Sequence, residues 1–255
     1  MLTRYSPLPL LIVCAGVLLL VGCSAPAATP TTSATPSSSA VPTATPTAAA
    51  PETPGAASGA GCPSGGEPRP SDTYAAAIDD LDGDGEADSE WYAETSPFRY
   101  GVTTASGATF SVNDGLAGPG THRGWSARLA NGVVVTVLDD GRGATLHAIV
   151  DCAFVTPLDV LGEPYRFDLQ NRLGNGTGVG CRMGTTGREL VGFQTDEQSD
   201  GRFDVTTTEI LVSIDGTTAT NGTRTRSDLA ADDPAVTEAQ TSSCGTVTIV
   251  ATTGR

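Results

Sequence analysis

Short runs of apolar and β-branched residues, separated by turn dipeptides, dominate the second half of the chain. Residues 133–138 and 144–150 flank Asp140-Gly141, which is the spacing of a β-hairpin. Residues 202–212 alternate polar and apolar positions and are rich in Thr and Val, as a half-buried strand requires. Asp215-Gly216 marks a further turn. These patterns predict an all-β fold built mostly from antiparallel hairpins.

A weak internal repetition bears on the architecture. Three segments, near residues 74–112, 126–169 and 187–226, each combine a Gly-centred acidic turn with strands. This organisation suits either blade-like units, as in part of a propeller, or a β-sandwich. One short helix is also predicted, because Asp233 suits an N-cap and Pro234 suits the first helical position.

The N-terminal pattern differs from that of the rest of the chain. Arg4 precedes an apolar run at 8–21, which is shorter than a transmembrane helix needs and suits a signal-peptide core. The run ends in Leu20-Val21-Gly22-Cys23, which resembles the lipobox of bacterial lipoproteins. The resemblance implies a signal peptide at 1–22 and a diacylated thiol at Cys23. We therefore expect the protein on the extracytoplasmic face of the cell membrane, held by this lipid anchor.

The segment after the predicted anchor has a restricted composition. Residues 23–70 consist mainly of Ala, Pro, Ser and Thr. Such a segment buries too little apolar surface to offset its ordering entropy, so we predict a disordered, semi-stiff linker. Residues 71–255 are long enough for one domain with its own core, and we assign the all-β domain to them.

The charge of the chain limits its partners. The sequence has 14 basic and 29 acidic residues and a formal net charge of −15, and every basic residue is Arg. Nucleic acids and anionic membrane surfaces are bound through basic patches, so the composition argues against both as partners. We expect membrane contact through the lipid anchor, and an unknown envelope protein or glycan as the ligand.

Four cysteines other than Cys23 remain after the predicted cleavage: Cys62, Cys152, Cys181 and Cys244. An even number in an exported protein suggests two disulfides, for which three pairings exist. We expect Cys62–Cys244 to join the ends of the domain and Cys152–Cys181 to close an internal loop. Their spacing does not match a zinc site.

Residues 80–88 form the most specific pattern in the chain. Oxygen donors stand at positions 1, 3, 5, 7 and 9, with a backbone carbonyl offered at position 7: Asp80, Asp82, Asp84, Glu86 and Asp88. Gly85 at position 6 allows a sharp turn. Converging carboxylates repel by about 4 kcal/mol per pair at a separation of 4 Å and an effective dielectric constant of 20. The run therefore either binds a hard cation such as Ca²⁺ or opens into a solvated acidic turn.

This loop resembles the calcium hairpin of FG-GAP and VCBS repeats, which occur in integrin-type propeller blades. The resemblance implies that the four aspartates bind Ca²⁺ through their side chains and that the carbonyl of Glu86 adds a further ligand. Trp91 stands at position 12, where an EF-hand requires a bidentate Glu. A dockerin-like or thrombospondin-like loop is the lesser alternative.

A degraded copy of the same spacing occurs later in the chain. Its members are Asp196, Gln198, Asp200, Gly201 and Asp204. We interpret this stretch as a surface hairpin turn, with a second metal site as the alternative.

Few residues point to catalysis. His122 and His147 are the two histidines, and neither belongs to a recognisable catalytic motif. Three aromatic residues, Trp91, Tyr92 and Trp125, have the chemistry to stack on a sugar, but we expect at least two of them in the core. The preferred hypothesis is a non-enzymatic, calcium-stabilised binding module. The alternatives are a carboxylate-dependent glycan-active enzyme, which needs a deep pocket with two acids and an aromatic, and a module that contacts an envelope protein through an apolar patch or sheet edge.

Overall fold

Strands make up most of the folded chain, as the sequence predicts. The computed structural model describes residues 61–95, 97–116, 118, 120–169, 171–172 and 175–252. The predicted signal peptide, the lipidation site Cys23 and the linker as far as residue 60 lie outside the described residues. Among the residues that are described, no helix has the length and apolar character needed to cross a membrane.

The described residues contain seventeen strands and one helix. The strands are β1 (Gly65–Gly66), β2 (Thr73–Ile78), β3 (Asp88–Ala93), β4 (Arg99–Thr103), β5 (Ala108–Asn113), β6 (Arg123–Arg128), β7 (Val134–Asp139), β8 (Gly143–Val150), β9 (Ala153–Val155), β10 (Arg166–Asp168), β11 (Asn171–Arg172), β12 (Asn175–Met183), β13 (Arg188–Glu197), β14 (Phe203–Val212), β15 (Ala219–Leu229), β16 (Ser242–Ser243) and β17 (Val250–Ala251). The helix α1 (Pro234–Glu238) lies between β15 and β16.

These strands form three sheets. The first has the order β1-β5-β4-β3-β2, and the second has the order β10-β8-β7-β6-β17 with β9 paired to β8. The third has the order β11-β12-β13-β14-β15, with β16 paired to β12. Neighbouring strands are antiparallel except for β1 beside β5 and β16 beside β12. The three weakly repeated sequence segments therefore correspond to three successive sheets, and the predicted all-β class is confirmed.

The second sheet is stacked between the other two. In β7, Val135 and Val137 belong to the core shared with the third sheet. The alternate residues Val134 and Leu138 pack against the first sheet. All six residues of β7 are buried, because each face of this strand is covered. The continuous apolar run that predicts β7 is the pattern of a strand buried on both sides.

Glycines allow large aromatic side chains to enter the first sheet and its interface with the second. A Cβ atom on Gly101 would lie 2.1 Å from the ring of Trp91, and one on Gly124 would lie 2.5 Å from the ring of Tyr100. Trp91, Tyr92 and Trp125 are all almost completely buried. The expectation that at least two of these three aromatics belong to the core is confirmed.

The helix forms where its capping residues predict it. Asp233 is the N-cap, and its side chain accepts a hydrogen bond from the Ala235 amide at 2.9 Å. Val236 is the buried residue of α1, and it packs on Phe203 and Val205. The helix therefore covers part of the third sheet.

The disulfides use the predicted four cysteines, but the expected pairing is wrong. The bonds are Cys62–Cys152 and Cys181–Cys244, instead of Cys62–Cys244 and Cys152–Cys181. The parallel register of β16 on β12 explains the second bond. Gly180 lies opposite Ser243, so one further residue along each strand brings Cys181 and Cys244 together.

Residues 61–70 belong to the folded unit, although their composition resembles the linker. Cys62 is buried and bonded to Cys152, and Glu67 forms an ion pair with Arg99. Strand β1 extends the first sheet. Composition alone does not reveal these contacts, because their partners are distant in the sequence. The predicted start of the β domain at residue 71 therefore lies too late in the chain.

Replacing Gly101 with Ala should destabilise the protein by about 2 kcal/mol, because the new methyl group overlaps a buried indole that has no space to move. Chemical denaturation followed by Trp fluorescence measures this loss. Gly115→Ala is the matched control, since a Cβ there meets no atom within 4 Å and the residue has no positive φ. Equal stability of the two variants would contradict the packing described for Trp91.

Candidate metal centre

The predicted cation loop connects β2 and β3. The last cross-strand pair before it is Ile78 with Asp88, so the loop closes a hairpin. Carboxylate oxygens of Asp80, Asp82 and Asp88 all lie within 4.8 Å of one another. The structure thus brings together three of the four aspartates in the predicted set.

Asp80 holds the turn in shape. Its two carboxylate oxygens accept hydrogen bonds from the amides of Gly83 at 2.6 Å and Gly85 at 3.0 Å. Both glycines have positive φ, 86° for Gly83 and 92° for Gly85. A residue with a Cβ is strained in that conformation, so the predicted role of Gly85 in the turn agrees with the backbone.

Asp88 is the buried member of the trio. It accepts hydrogen bonds from the amides of Leu81 at 2.7 Å and Ala105 at 3.0 Å. Burial raises the pKa of Asp88; these two amides oppose the rise, and the negative charges of Asp82 and Asp80 add to it. The position of this carboxylate is therefore set by two separate loops.

Asp82 links the loop to the N-terminal end of the described chain. Its Oδ2 accepts a hydrogen bond from the Cys62 amide at 2.7 Å, and Cys62 is fixed by its disulfide. A Cβ on Gly61 would lie 2.8 Å from the Cβ of Asp84 and 3.1 Å from Oδ2 of Asp82. Residues 61 and 62 therefore pack directly against the loop, a contact that the loop sequence does not reveal.

Asp84 and Glu86 lie outside the converging trio. The Oδ1 atom of Asp84 accepts a hydrogen bond from the Glu86 amide at 2.7 Å, and Glu86 is exposed. The predicted contribution of Glu86 is a backbone carbonyl, and that remains a prediction. The predicted contribution of the Asp84 side chain also remains one.

The charge of the trio has no cationic partner among the described residues. None of the ion pairs there involves Asp80, Asp82 or Asp88. The nearby Arg128 donates its Nη2 hydrogen bond to the carbonyl of Leu81 at 2.5 Å. A cluster of oxygen donors that is held by backbone amides and lacks an arginine fits a hard divalent cation such as Ca²⁺.

The degraded copy at 196–204 has a different arrangement. Asp196 and Asp204 lie opposite each other on β13 and β14, and Gln198, Asp200 and Gly201 form the turn between these strands. Arg226 forms an ion pair with Asp204, and Arg202 forms one with Asp228. Arginines thus neutralise acids on this hairpin, in agreement with its interpretation as a turn.

His122 has a role that sequence reasoning missed. It is almost completely buried, and its ring stacks on Phe98 with centroids 4.1 Å apart. Nδ1 lies 2.5 Å from a carboxylate oxygen of Asp114, and Nε2 lies 3.0 Å from the carbonyl of Gly118. The hydroxyl of Tyr92 also donates to Asp114. This network therefore connects Asp114, at the end of the first sheet, with Gly118 and with the residue before β6.

Two further ionisable groups are buried between the first and second sheets. Burial raises the pKa of Glu90 to about 7, although the hydroxyls of Ser126 and Tyr100 favour its charged form. Burial lowers the pKa of His147 to about 4, and the negative charge of Asp114 works in the opposite direction. The neutral forms of both groups therefore predominate between about pH 4 and about pH 7.

Four clefts lined by described residues bear on the alternative of a glycan-active enzyme. One lies beside Glu67 and Phe110, one beside Glu189 and Glu209, and one beside Asp82 and Asp151 at the metal loop. The fourth is bounded by several aromatics and a single acid, Asp168. None of these four clefts joins two acidic side chains with an aromatic, as a glycosidase pocket would.

The stability of the protein should fall in acid through His147. A histidine with a depressed folded-state pKa stabilises the fold above its unfolded value of 6.5, and this contribution is lost as the pH falls towards about 4. The loss amounts to about 3 kcal/mol at pH 4. His147→Asn should remove this pH dependence in urea unfolding at pH 7, 5.5 and 4.

Thr156→Val is the control for that measurement. The Thr156 hydroxyl lies 3.2 Å from Nδ1 of His147, so the variant loses the contact but keeps the titrating ring. Its destabilisation should be nearly the same at each pH. A parallel pH dependence in His147→Asn and the unsubstituted protein would show that the buried ring does not titrate as described.

Comparison with known proteins gives no relative from which a function can be transferred. No family model, curated protein or solved structure matches the chain. The residues and contacts described above are therefore the basis for assigning a function.

Proposed function

We propose that this protein is a lipid-anchored, extracytoplasmic binding module whose β domain is stabilised by Ca²⁺. The observation that carries the calcium part is the convergence of Asp80, Asp82 and Asp88 within 4.8 Å, without an ion-pair partner among the described residues. The mutual repulsion of these three carboxylates opposes folding. A divalent cation bound between them turns this net repulsion into a net attraction.

Each ligand in the proposed site has a distinct support. Backbone amides within the turn orient Asp80, amides from two loops orient Asp88, and the Cys62 amide orients Asp82. Such fixed carboxylates bind an ion with little loss of side-chain freedom. The carbonyl of Glu86 and the carboxylate of Asp84 are the proposed additional ligands, in keeping with the resemblance to the FG-GAP and VCBS loops.

The proposed location rests on two features of the chain. The lipobox-like sequence ending in Cys23 supplies an anchor on the outer face of the cell membrane. The two disulfides suit an oxidising compartment outside the cytoplasm. The ligand proposed for the module is an envelope protein or a glycan, since the acidic charge disfavours nucleic acid.

Calcium should stabilise the chain after treatment with a chelator. A site of the weak extracellular type, with a dissociation constant of about 10⁻⁴–10⁻³ M, predicts a gain of about 1–2 kcal/mol at about 5 mM Ca²⁺. Asp82→Asn should abolish the gain, because it removes one charge while keeping an oxygen acceptor for the Cys62 amide. Thermal melting with EDTA and with Ca²⁺ measures both effects.

Asp200→Asn is the matched control, since Asp200 belongs to the hairpin whose acids do not converge. Asp200 accepts only a local bond from the Arg202 amide, so this variant should keep the full response to Ca²⁺. In EDTA, Asp82→Asn should be at least as stable as the unsubstituted chain, because one repelling charge is gone. A melting temperature that does not change when millimolar Ca²⁺ is added would refute the proposed site.

A further inference from the structure

The third sheet changes character along its length on the face that is turned towards the second sheet. At one end, this face contributes apolar side chains to the shared core, among them Leu190, Ile210 and Val212. Residues two apart on a strand share a face. Continuing along β13 from Leu190 in such steps gives Gly192, Gln194 and Asp196, and the apolar character is lost.

Strands β14 and β15 make the same change at the same level, whereas Val179 of β12, opposite Gly192, still belongs to the shared core. Gly192 pairs with Thr208, and Thr208 pairs with Arg224. In the next row, Gln194 pairs with Thr206, which pairs with Arg226. The strands therefore carry polar side chains in register across this part of the sheet, at positions that would belong to a core if a second layer covered them.

Strand lengths explain why the second sheet does not cover the whole of this part, although Thr206 in the second row is buried. Strands β13, β14 and β15 contain 10, 10 and 11 residues, whereas β6 and β7 contain 6 and β8 contains 8. The third sheet thus extends beyond its neighbour. On its opposite face, Phe193, Phe203 and Val205 are covered by α1, so the extended part is stabilised from that side.

A cleft of about 250 Å³ lies where the second sheet ends above this polar face. One wall is formed by Tyr165 and Phe167. Their rings contact edge to face, with centroids 5.3 Å apart. The Tyr165 hydroxyl donates to Oδ1 of Asn221 at 2.6 Å, which fixes this wall to β15. Gly192 forms part of the floor, where a Cβ would lie in ordinary van der Waals contact with the ring of Phe167, at 3.8 Å.

Hydrogen-bonding groups in the cleft remain available. Arg224 is exposed, and within the described chain no ion pair or hydrogen bond engages its guanidinium group. Gln194 is also exposed, and its amide makes only weak contacts with Asp196, at 3.2 and 3.5 Å. The guanidinium group of Arg224 and the amide of Gln194 can therefore both donate hydrogen bonds to a ligand in the cleft.

We propose that this cleft binds an oligosaccharide across the third sheet, with a sugar ring against Tyr165 and Phe167 and hydroxyl groups on Gln194, Thr208 and Arg224. Amide, hydroxyl and guanidinium groups together match the mixed donors and acceptors of a pyranose. A peptide added as a strand would pair with the outer edge of β15, whereas the polar groups of this cleft lie on the face of the sheet. The inference rests on the proposed binding role of the module and is independent of the calcium site.

Two soluble probes distinguish the class of sugar. Chitohexaose is neutral, and hexagalacturonate carries a carboxylate on each ring, which Arg224 would favour. Calorimetric titration of the full chain should detect binding of at least one probe, both with Ca²⁺ and with EDTA. Arg224→Ala and Gln194→Ala should each weaken that binding by about tenfold, in line with the loss of one well-placed polar contact.

Arg69→Ala is the matched control, because Arg69 is exposed and lies outside the residues that line the cleft. It should leave the affinity unchanged. Failure of both probes to bind overturns the saccharide proposal, and so does binding that Arg224→Ala and Gln194→Ala leave intact. Since the calcium response is measured by melting, either proposal can fail while the other holds.

Discussion

The fold depends on the burial of the second sheet on both faces. Strand β7 supplies apolar side chains alternately to the core with the third sheet and to the core with the first. Without either neighbour, one face of this sheet would be exposed to water, at a cost of about 25 cal/mol per Å² of apolar surface. Stacking of three sheets, rather than closure of one, is how the chain satisfies this constraint.

Both candidate sites occur where this stacking stops. The acidic loop lies at a hairpin end of the first sheet, where backbone amides orient the carboxylates. The saccharide cleft lies where β13, β14 and β15 extend beyond the second sheet. The packed apolar layers support these polar residues, which matches the general observation that binding residues lie on loops and sheet faces supported by a packed scaffold.

Polar groups within the first interface add specificity to this packing. The network of Tyr92, Asp114 and His122 connects strand β3 to the glycine-rich loop before β6. His147 is held neutral by burial in the same interface. Buried groups of this kind disfavour alternative registers, because a shifted strand would leave them without hydrogen-bond partners.

Local pattern predicts the elements of this protein well. The apolar run at 133–138, the alternation at 202–212 and the cap at Asp233 become β7, β14 and α1, because each depends on neighbours within a few residues. The spacing of the run at 80–88 likewise predicts the convergence of its aspartates, although the amides of Cys62 and Ala105, outside the run, also orient Asp82 and Asp88.

Long-range pairing is what the sequence does not contain. The partner of Cys181 depends on the parallel docking of β16 on β12, and the burial of His122 depends on a carboxylate and a ring from another sheet. The polar rows of the third sheet become a cleft only because its neighbour is shorter. The sequence by itself determines the strands, the helix cap and the acidic turn. The tertiary structure decides which faces meet. Contacts between sheets join residues that are far apart along the chain, and no periodic pattern in the sequence marks such pairs.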